Sequence, residues 1–231
     1  MAIYSQYELV KAMELAGCPI CRLIQVEVRR FLDGLLYESS VDPASQHKFR
    51  ASRGICNVHS QLLRETRGYS APIATLYEAA IDELMQTFKE GGKGFSLRKR
   101  GDGRQLSERL KPKRRCPCCV VTEEAEKLFA ETFAEGLADY GFLQTFKNSQ
   151  GLCLLHFRRL LEQNMPQQSA SQLLEAQREI WGRLLVELDL FMARSGERGD
   201  GQPVGGEGTS WTRAVDALGG LTGTFGNDYE P

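Results

Sequence analysis

Four short pairs of cysteine and histidine are the groups of this sequence best suited to holding a metal ion. Two pairs have the form Cys-Pro-x-Cys and two have the form Gly-x-Cys-x-x-His. Donors three residues apart lie on one side of a helical turn, so each pair can face a single ion. Zinc commonly takes four Cys or His ligands from two such pairs, which predicts two Cys3His metal sites. The pairs are Cys18/Cys21, Cys56/His59, Cys116/Cys119 and Cys153/His156.

The order of these pairs indicates an internal duplication. Cys116 follows Cys18 by 98 residues, and Cys153 follows Cys56 by 97 residues. We therefore predict two similar helical units, residues 1–90 and 116–194, related by a pseudo-twofold axis, each with its own Cys3His site. Combining the pairs within each unit is the simplest choice. A swapped combination, with Cys18/Cys21 facing Cys153/His156, remains open.

The elements that must position these pairs are predicted to be helices. Apolar residues recur at three-to-four-residue spacing after each Cys-Pro-x-Cys motif and before the end of each unit, as in amphipathic helices. Pro19 suits a first helical turn, where its missing N–H costs nothing. No run of alternating apolar and polar residues predicts a strand, so the fold class is all-α. Helix N-termini would also stabilise the thiolates of the pairs.

Two segments depart from this helical pattern. Residues 91–115 are rich in Gly, Lys and Arg, which predicts a basic flexible linker. Contact of this linker with nucleic acid is conceivable, but a solvated tether explains it better. Residues 195–231 form a Gly-rich tail with a short amphipathic stretch, 211–218, that is predicted to dock as a helix. Trp211 then needs burial, either within the chain or against a partner.

Composition and charge limit the binding partners and the cellular location expected for this protein. The 231-residue chain has a net charge of −1, so no overall field directs it to nucleic acid or to an anionic membrane. Glu8 and Glu14 interrupt the first twenty residues, which do not resemble a signal peptide, and no window suits a membrane span. These features predict a cytoplasmic protein. Structural disulfides are rare there, so seven cysteines favour metal binding or redox chemistry.

Other interpretations of the cysteines stay open. Three Cys and one His also suit an iron–sulfur cluster, although zinc is favoured. Cys-Pro-x-Cys occurs in thioredoxin-like dithiols, but those follow a strand, and buried reduced thiols could simply fill a core. Cys118 is an extra cysteine, interpreted as a bystander to Cys116 and Cys119. His47 lies outside the motifs and is predicted to face solvent.

Catalysis has few candidate residues. With His59 and His156 assigned to metal, little remains to act as a base near neutral pH, and four protein ligands leave no open position for water. No Gly-rich phosphate loop or nucleophile elbow is found. We therefore predict a non-enzymatic protein with two structural zinc ions and a protein partner or regulatory role. The alternatives are an iron–sulfur or thiol redox protein and a metalloenzyme with one open site.

The order of the motifs resembles an uncharacterised prokaryotic family, a domain of unknown function with the same doubled Cys-Pro-x-Cys and Gly-x-Cys-x-x-His motifs. The resemblance covers about residues 8–220. It also includes Leu35–Glu38, Asp42-Pro43, Ser149–His156 and Ser210–Ala214. It differs at residues 192–197, where the family is expected to have a basic and aromatic stretch. The resemblance implies this fold and paired Cys/His sites, and brings no established activity.

Overall fold

The computed structural model describes residues 2–38, 42–90, 102–198 and 206–227. Within these ranges the chain forms eleven α-helices, one short 3-10 helix at Gly206–Thr209 and no strand, which confirms the all-α prediction. The helices are α1 (Ala2–Met13), α2 (Pro19–Glu38), α3 (Pro43–Ala51), α4 (Asn57–Glu65), α5 (Ser70–Glu90), α6 (Asp102–Leu110), α7 (Pro117–Gly136), α8 (Tyr140–Asn148), α9 (Leu154–Leu161), α10 (Gln167–Arg198) and α11 (Ser210–Gly219).

Helices that follow corresponding motifs have matching lengths. Both α2 and α7 have 20 residues and begin at the proline of a Cys-Pro-x-Cys motif. Both α3 and α8 have nine residues, and α4 and α9 have nine and eight. Proline suits the first position of a helix because its fixed φ matches the helical value. The duplication and the pseudo-twofold axis themselves stay predictions.

The chain forms two compact units that do not coincide with the two sequence repeats. The first unit comprises the described residues of Met1–Val26 and Glu123–Thr224, and the second those of Glu27–Thr122 and Phe225–Glu230. The boundaries therefore fall inside α2 and inside α7. Both units take residues from widely separated parts of the chain, which a division into 1–90 and 116–194 does not capture.

Three phenylalanines form the centre of the first unit. Phe133 on α7 is fully buried, and its ring makes edge-to-face contacts with Phe142 and Phe146 on α8, with centroids 5.2 and 5.0 Å apart. Such contacts add to the free energy gained by burying the rings. Asp139 accepts a hydrogen bond from the Phe142 N–H and so caps the N-terminus of α8.

The core of the second unit lies between α3 and α5. The buried Phe49 ring meets the Tyr77 ring edge-to-face at 5.1 Å. Arg53 follows α3 with a left-handed φ of 59°, and its guanidinium donates to the Glu83 carboxylate at 2.8 Å. This ion pair holds the turn that leads from α3 to the start of α4.

Part of the segment 91–115, predicted to be a basic linker, is helical. Residues 91–101 lie outside the described residues, but 102–110 form α6. Beyond it, the Lys113 N–H donates to the carbonyl of Ala51 at 2.8 Å, and Arg53 donates to the carbonyl of Arg109. One backbone and one side-chain hydrogen bond therefore hold the end of this segment against α3 and the turn that follows it, which local composition could not indicate.

The predicted docking helix of the tail is α11, which packs on α9 and α10. Its buried side carries Ser210 and Arg213, and Arg213 forms an ion pair with Glu187 on α10. Trp211 keeps 53% of its surface exposed among the described residues. In the described part of the chain, no helix combines the length and apolar character needed to cross a membrane.

The aromatic centre of the first unit can be tested by truncation. Phe133→Ala should lower the free energy of unfolding by about 3–5 kcal/mol, because it leaves a cavity beneath Phe142 and Phe146. Leu128→Ala, on the exposed side of the same helix, should change it by less than about 0.5 kcal/mol. Urea unfolding followed by circular dichroism measures both. Equal effects of the two substitutions would contradict this description of the core.

Candidate metal centres

The first cluster consists of Cys18, Cys21, Cys153 and His156, and it lies in the first compact unit. Cys18 directly precedes α2, and Cys153 is the N-cap of α9. The His156 Nδ1 atom lies 3.4 Å from the Cys18 sulfur and 3.3 Å from each of the other two sulfurs. Four donor atoms from two helix starts thus converge on one point.

The second cluster consists of Cys56, His59, Cys116 and Cys119, and it lies in the second compact unit. Cys56 is the N-cap of α4, and Cys116 directly precedes α7. The His59 Nδ1 atom lies 3.4 Å from the sulfur of Cys56, 3.6 Å from that of Cys119 and 4.0 Å from that of Cys116. The two clusters therefore have the same composition and the same local architecture.

The ligand pairs combine in the swapped way, across the two sequence repeats. Each cluster joins a Cys-Pro-x-Cys pair from one sequence repeat to a Gly-x-Cys-x-x-His pair from the other. The expectation that each repeat holds its own complete site is therefore wrong. The physical reason is that α2 and α7 are 20 residues long, about 30 Å at 1.5 Å per residue, and each runs from one compact unit into the other, so the pairs before and after it belong to different units.

The donor spacing fits one tetrahedral ion. Bonds of about 2.3 Å to sulfur and about 2.0 Å to nitrogen place two sulfurs ~3.8 Å apart and a sulfur and a nitrogen ~3.5 Å apart. The Cys21 and Cys153 sulfurs are 3.7 Å apart, and those of Cys56 and Cys119 are 3.8 Å apart. All donor atoms of each cluster lie within 4.8 Å of one another. Either cluster could therefore hold a metal ion.

The outward nitrogen of each histidine faces a different group. The His156 Nε2 atom lies 3.3 Å from the carboxylate of Glu126, which is almost fully buried and also 3.7 Å from Arg159. The His59 Nε2 atom lies 3.3 Å from the hydroxyl of the buried Thr122. A partner at this nitrogen orients the ring and selects the tautomer whose other nitrogen can bind metal.

The loop before Cys153 is held by a buried amide. The Gln177 side chain accepts from the Leu152 N–H at 2.9 Å and donates to the Leu152 carbonyl at 3.1 Å. Gly151 precedes it with φ of 78°, and a Cβ there would lie 3.0 Å from Gln177. The glycine of the motif is therefore required both by its left-handed backbone and by the close approach of Gln177.

The thiols of each cluster shift one another's ionisation. Burial raises the pKa of Cys18, but hydrogen bonds from Cys153 and Cys21 lower it well below its ordinary value. Hydrogen bonds from Cys118, Cys119 and Cys56 likewise lower the pKa of Cys116 strongly. Burial lowers the pKa of His59, yet its bonds to the neighbouring thiols raise it to about 9. Each cluster thus favours the thiolate form in at least one cysteine, and thiolate is the form that binds metal.

The structure also shows where Cys118 and His47, the candidate residues outside the four donor pairs, lie. Cys118 is fully buried and belongs to neither cluster, and its hydrogen bond to Cys116, together with burial, raises its pKa. His47 is exposed on α3.

Sequence reasoning missed Glu126, Thr122 and Gln177. Thr122 could have been found, since it lies three residues beyond Cys119 on one helical face, whereas the other two act through tertiary contacts.

Fold and site together define an all-helical protein with two clusters of three Cys and one His, each of which could hold a metal ion. The chain belongs to a family of unknown function, DUF6062, whose sequence profile matches residues 13–218. This range includes both clusters and confirms the resemblance to an uncharacterised domain family. No curated protein and no solved structure matches the chain.

Gly226 provides a test of how closely the chain surrounds the second cluster. A Cβ at this position would overlap the Cys119 sulfur and lie 2.6 Å from the His59 ring. Gly226→Ala should therefore displace these donors and reduce bound metal by one ion per chain. Gly219→Ala, which meets no atom within 4 Å, is the matched control and should leave the metal content unchanged. Elemental analysis of the purified variants measures both, and an unaltered metal content in Gly226→Ala would refute the expected displacement.

Proposed function

We propose that this protein is a non-enzymatic zinc protein with two closed Cys3His sites, each of which holds the starts of two helices together. The observation that carries the proposal is the division of eight donors into two compact sets of four. Three thiolates and one imidazole are a common closed ligand set for structural zinc. A closed set leaves no position for a reacting water, so a structural role is favoured over hydrolytic catalysis.

Donor spacing supports a single ion over an iron–sulfur cluster. The ligands of a [4Fe–4S] cluster bind different irons and must lie farther apart than ligands that share one ion. All donors here lie within 4.8 Å of one another, with sulfurs 3.7–3.8 Å apart, as expected for a mononuclear site. Mononuclear iron would fit the same spacing. Zinc is proposed because it is redox-inert and commonly bound by this set. A cytoplasmic setting, where structural disulfides are rare, is proposed with it.

Metal binding should stabilise the fold because the ligand pairs are distant in sequence. The donors Cys21 and Cys153 are 132 residues apart, and Cys56 and Cys116 are 60 residues apart. An unfolded chain does not hold such pairs together, so the free energy of metal binding contributes directly to folding. The buried thiols and imidazoles also lose their ionic partner when the metal leaves, which adds a desolvation penalty.

Chelation tests this proposal. The purified protein should contain two zinc ions and absorb no visible light, since zinc is d10. Removal of both ions by excess chelator should abolish most of the helical circular dichroism signal or lower the Tm by tens of degrees, because binding and folding are coupled. Full helicity and an unchanged Tm after complete metal removal would contradict a structural role.

Single-residue variants refine the same test. His156→Ala should reduce the zinc content from two to one, and His47→Ala, which removes an exposed histidine, should leave it at two. Iron with sulfide and a broad visible band would instead assign the chain to the iron–sulfur proteins. A protein without metal, with seven reactive thiols, would remove the basis of the proposal.

A protein partner is the second part of the proposal. On α11 the polar residue Ser210 is buried and Arg213 pairs with Glu187 on α10, whereas Trp211, Val215 and Leu218 are each more than half exposed. An amphipathic helix at a protein surface normally presents the opposite arrangement. Contiguous exposed apolar residues of this kind typically mark protein interaction sites. We therefore propose that α11 presents this face to a protein partner.

The exposed face of α11 can be tested on the purified chain. Trp211→Ser should change the free energy of unfolding by less than about 0.5 kcal/mol, because the ring is not needed for folding. Leu173→Ala, which truncates a fully buried side chain on the adjacent α10, should cost about 2–5 kcal/mol. Chemical denaturation compares the two variants. A loss of several kcal/mol in Trp211→Ser would show that the ring stabilises this chain and is not reserved for a partner.

A further inference from the structure

The two clusters differ in how firmly their surroundings hold them, although their ligands are the same. Building on the proposed metal binding, we infer that the second cluster is an exchangeable metal site, opened at Cys56, and that the first is a permanent structural site. The inference rests on burial of the ligands, on the groups that hold the histidines and on the hydrogen bonds at the ligand loops.

Burial separates the clusters most directly. In the first cluster every ligand is buried, and its most exposed member, Cys18, retains 3% of its surface. In the second cluster Cys56 is partly exposed, whereas its other three ligands are buried. Displacement of a protein ligand begins when an incoming donor reaches the ion beside it. Among the described ligands, Cys56 therefore offers an incoming donor the most exposed surface.

The outward nitrogen of each histidine gives a second difference. Glu126 is a buried carboxylate 3.3 Å from His156, and a carboxylate at this position increases the basicity of the ring. Thr122 faces His59 at the same distance but offers a neutral hydroxyl. Removing such a partner typically costs about 10–100-fold in metal affinity, so the two histidines are not equivalent donors.

Hydrogen bonds at the ligand loops give a third difference. In the first cluster, the Gly17 N–H before Cys18 donates to the Gln150 side chain at 2.7 Å, and Gln177 makes two bonds to Leu152. The loop before Cys56 is also anchored, since the Ser52 hydroxyl donates to the carbonyls of Phe49 and Gly54. In the second cluster, however, the Cys56 N–H donates to a ligand sulfur, that of Cys116, at 3.3 Å. A hydrogen bond to a ligand sulfur withdraws electron density from it and weakens its bond to a metal.

Gly226 restricts the side from which the second cluster can be approached. Its backbone lies against the Cys119 sulfur and the His59 ring, closely enough that a Cβ would overlap them. Approach is therefore directed to Cys56. In the exchange step, a nitrogen or sulfur donor of the incoming ligand bonds to the ion while the Cys56 sulfur–metal bond breaks. Cys56 leaves as a thiolate and the incoming donor takes its place at the ion, so nothing is oxidised or reduced.

Metal release to a coloured chelator tests the inference. The two-zinc protein is mixed with excess 4-(2-pyridylazo)resorcinol, and zinc release is followed by absorbance. Release should occur in two phases of one zinc each, with rates at least about 10-fold apart, in keeping with the effect of groups around a ligand. N-ethylmaleimide present during release should modify Cys56 in step with the fast phase and Cys18, Cys21 and Cys153 only in the slow phase, as located by mass spectrometry.

Variants of residues on α7 show which cluster gives each phase of zinc release. Glu126→Gln should accelerate the slow phase by about 10–100-fold and leave the fast phase unchanged. Glu124→Gln, an exposed glutamate two residues earlier on α7, should change neither phase. Thr122→Val should accelerate only the fast phase. Because these substitutions leave all eight ligands in place, the variants should keep two zinc ions as purified.

The outcomes distinguish this inference from the proposed function. Two zinc ions released in one phase, or modification of Cys18, Cys21 or Cys153 before Cys56, would overturn the inference and leave two structural sites. Acceleration of the fast phase by Glu126→Gln would also overturn it. A chain that binds no zinc would overturn both.

Discussion

The meeting of two Cys/His pairs from distant parts of the chain is the constraint on which the structure depends. A pair of donors three residues apart cannot complete a four-ligand site, so each must find another pair, and here the partner lies 57 to 138 residues away. The thiols and imidazoles are almost all buried, and buried polar groups without partners are costly. The helices around each cluster are therefore arranged so that two helix starts converge on one point.

Helix N-termini suit this task for an electrostatic reason. The first turn of a helix has unpaired N–H groups and the positive end of the helix dipole, and both favour a nearby thiolate. The four helices α2, α4, α7 and α9 each begin at or directly after a cluster cysteine. Both clusters thus use helix starts in the same way. They differ in the group that contacts the outward nitrogen of the histidine, which is Glu126 in the first cluster and Thr122 in the second.

The proposed structural role for metal agrees with two other features of the described residues. The clusters are closed by protein donors, and the exposed apolar face of α11 lies on a helix fixed to α10 by Arg213 and Glu187. These features fit the proposed structural protein with a binding surface better than they fit an enzyme. The family to which the chain belongs carries no assigned activity, so this proposal rests on the geometry alone.

The sequence by itself determined the helical class, the four donor pairs and their position at helix starts, because these follow from local spacing: a three-residue interval, a proline at the first helical position and a three-to-four-residue apolar repeat. Only the tertiary structure decided which pairs combine, since that depends on where two 20-residue helices carry the chain. It also decided that Glu126 and Gln177 support the first cluster, that residues 102–110 are helical, and that Trp211 stays exposed. The support that Glu126 and Gln177 give to the first cluster depends on contacts between residues far apart in sequence, which no local pattern records.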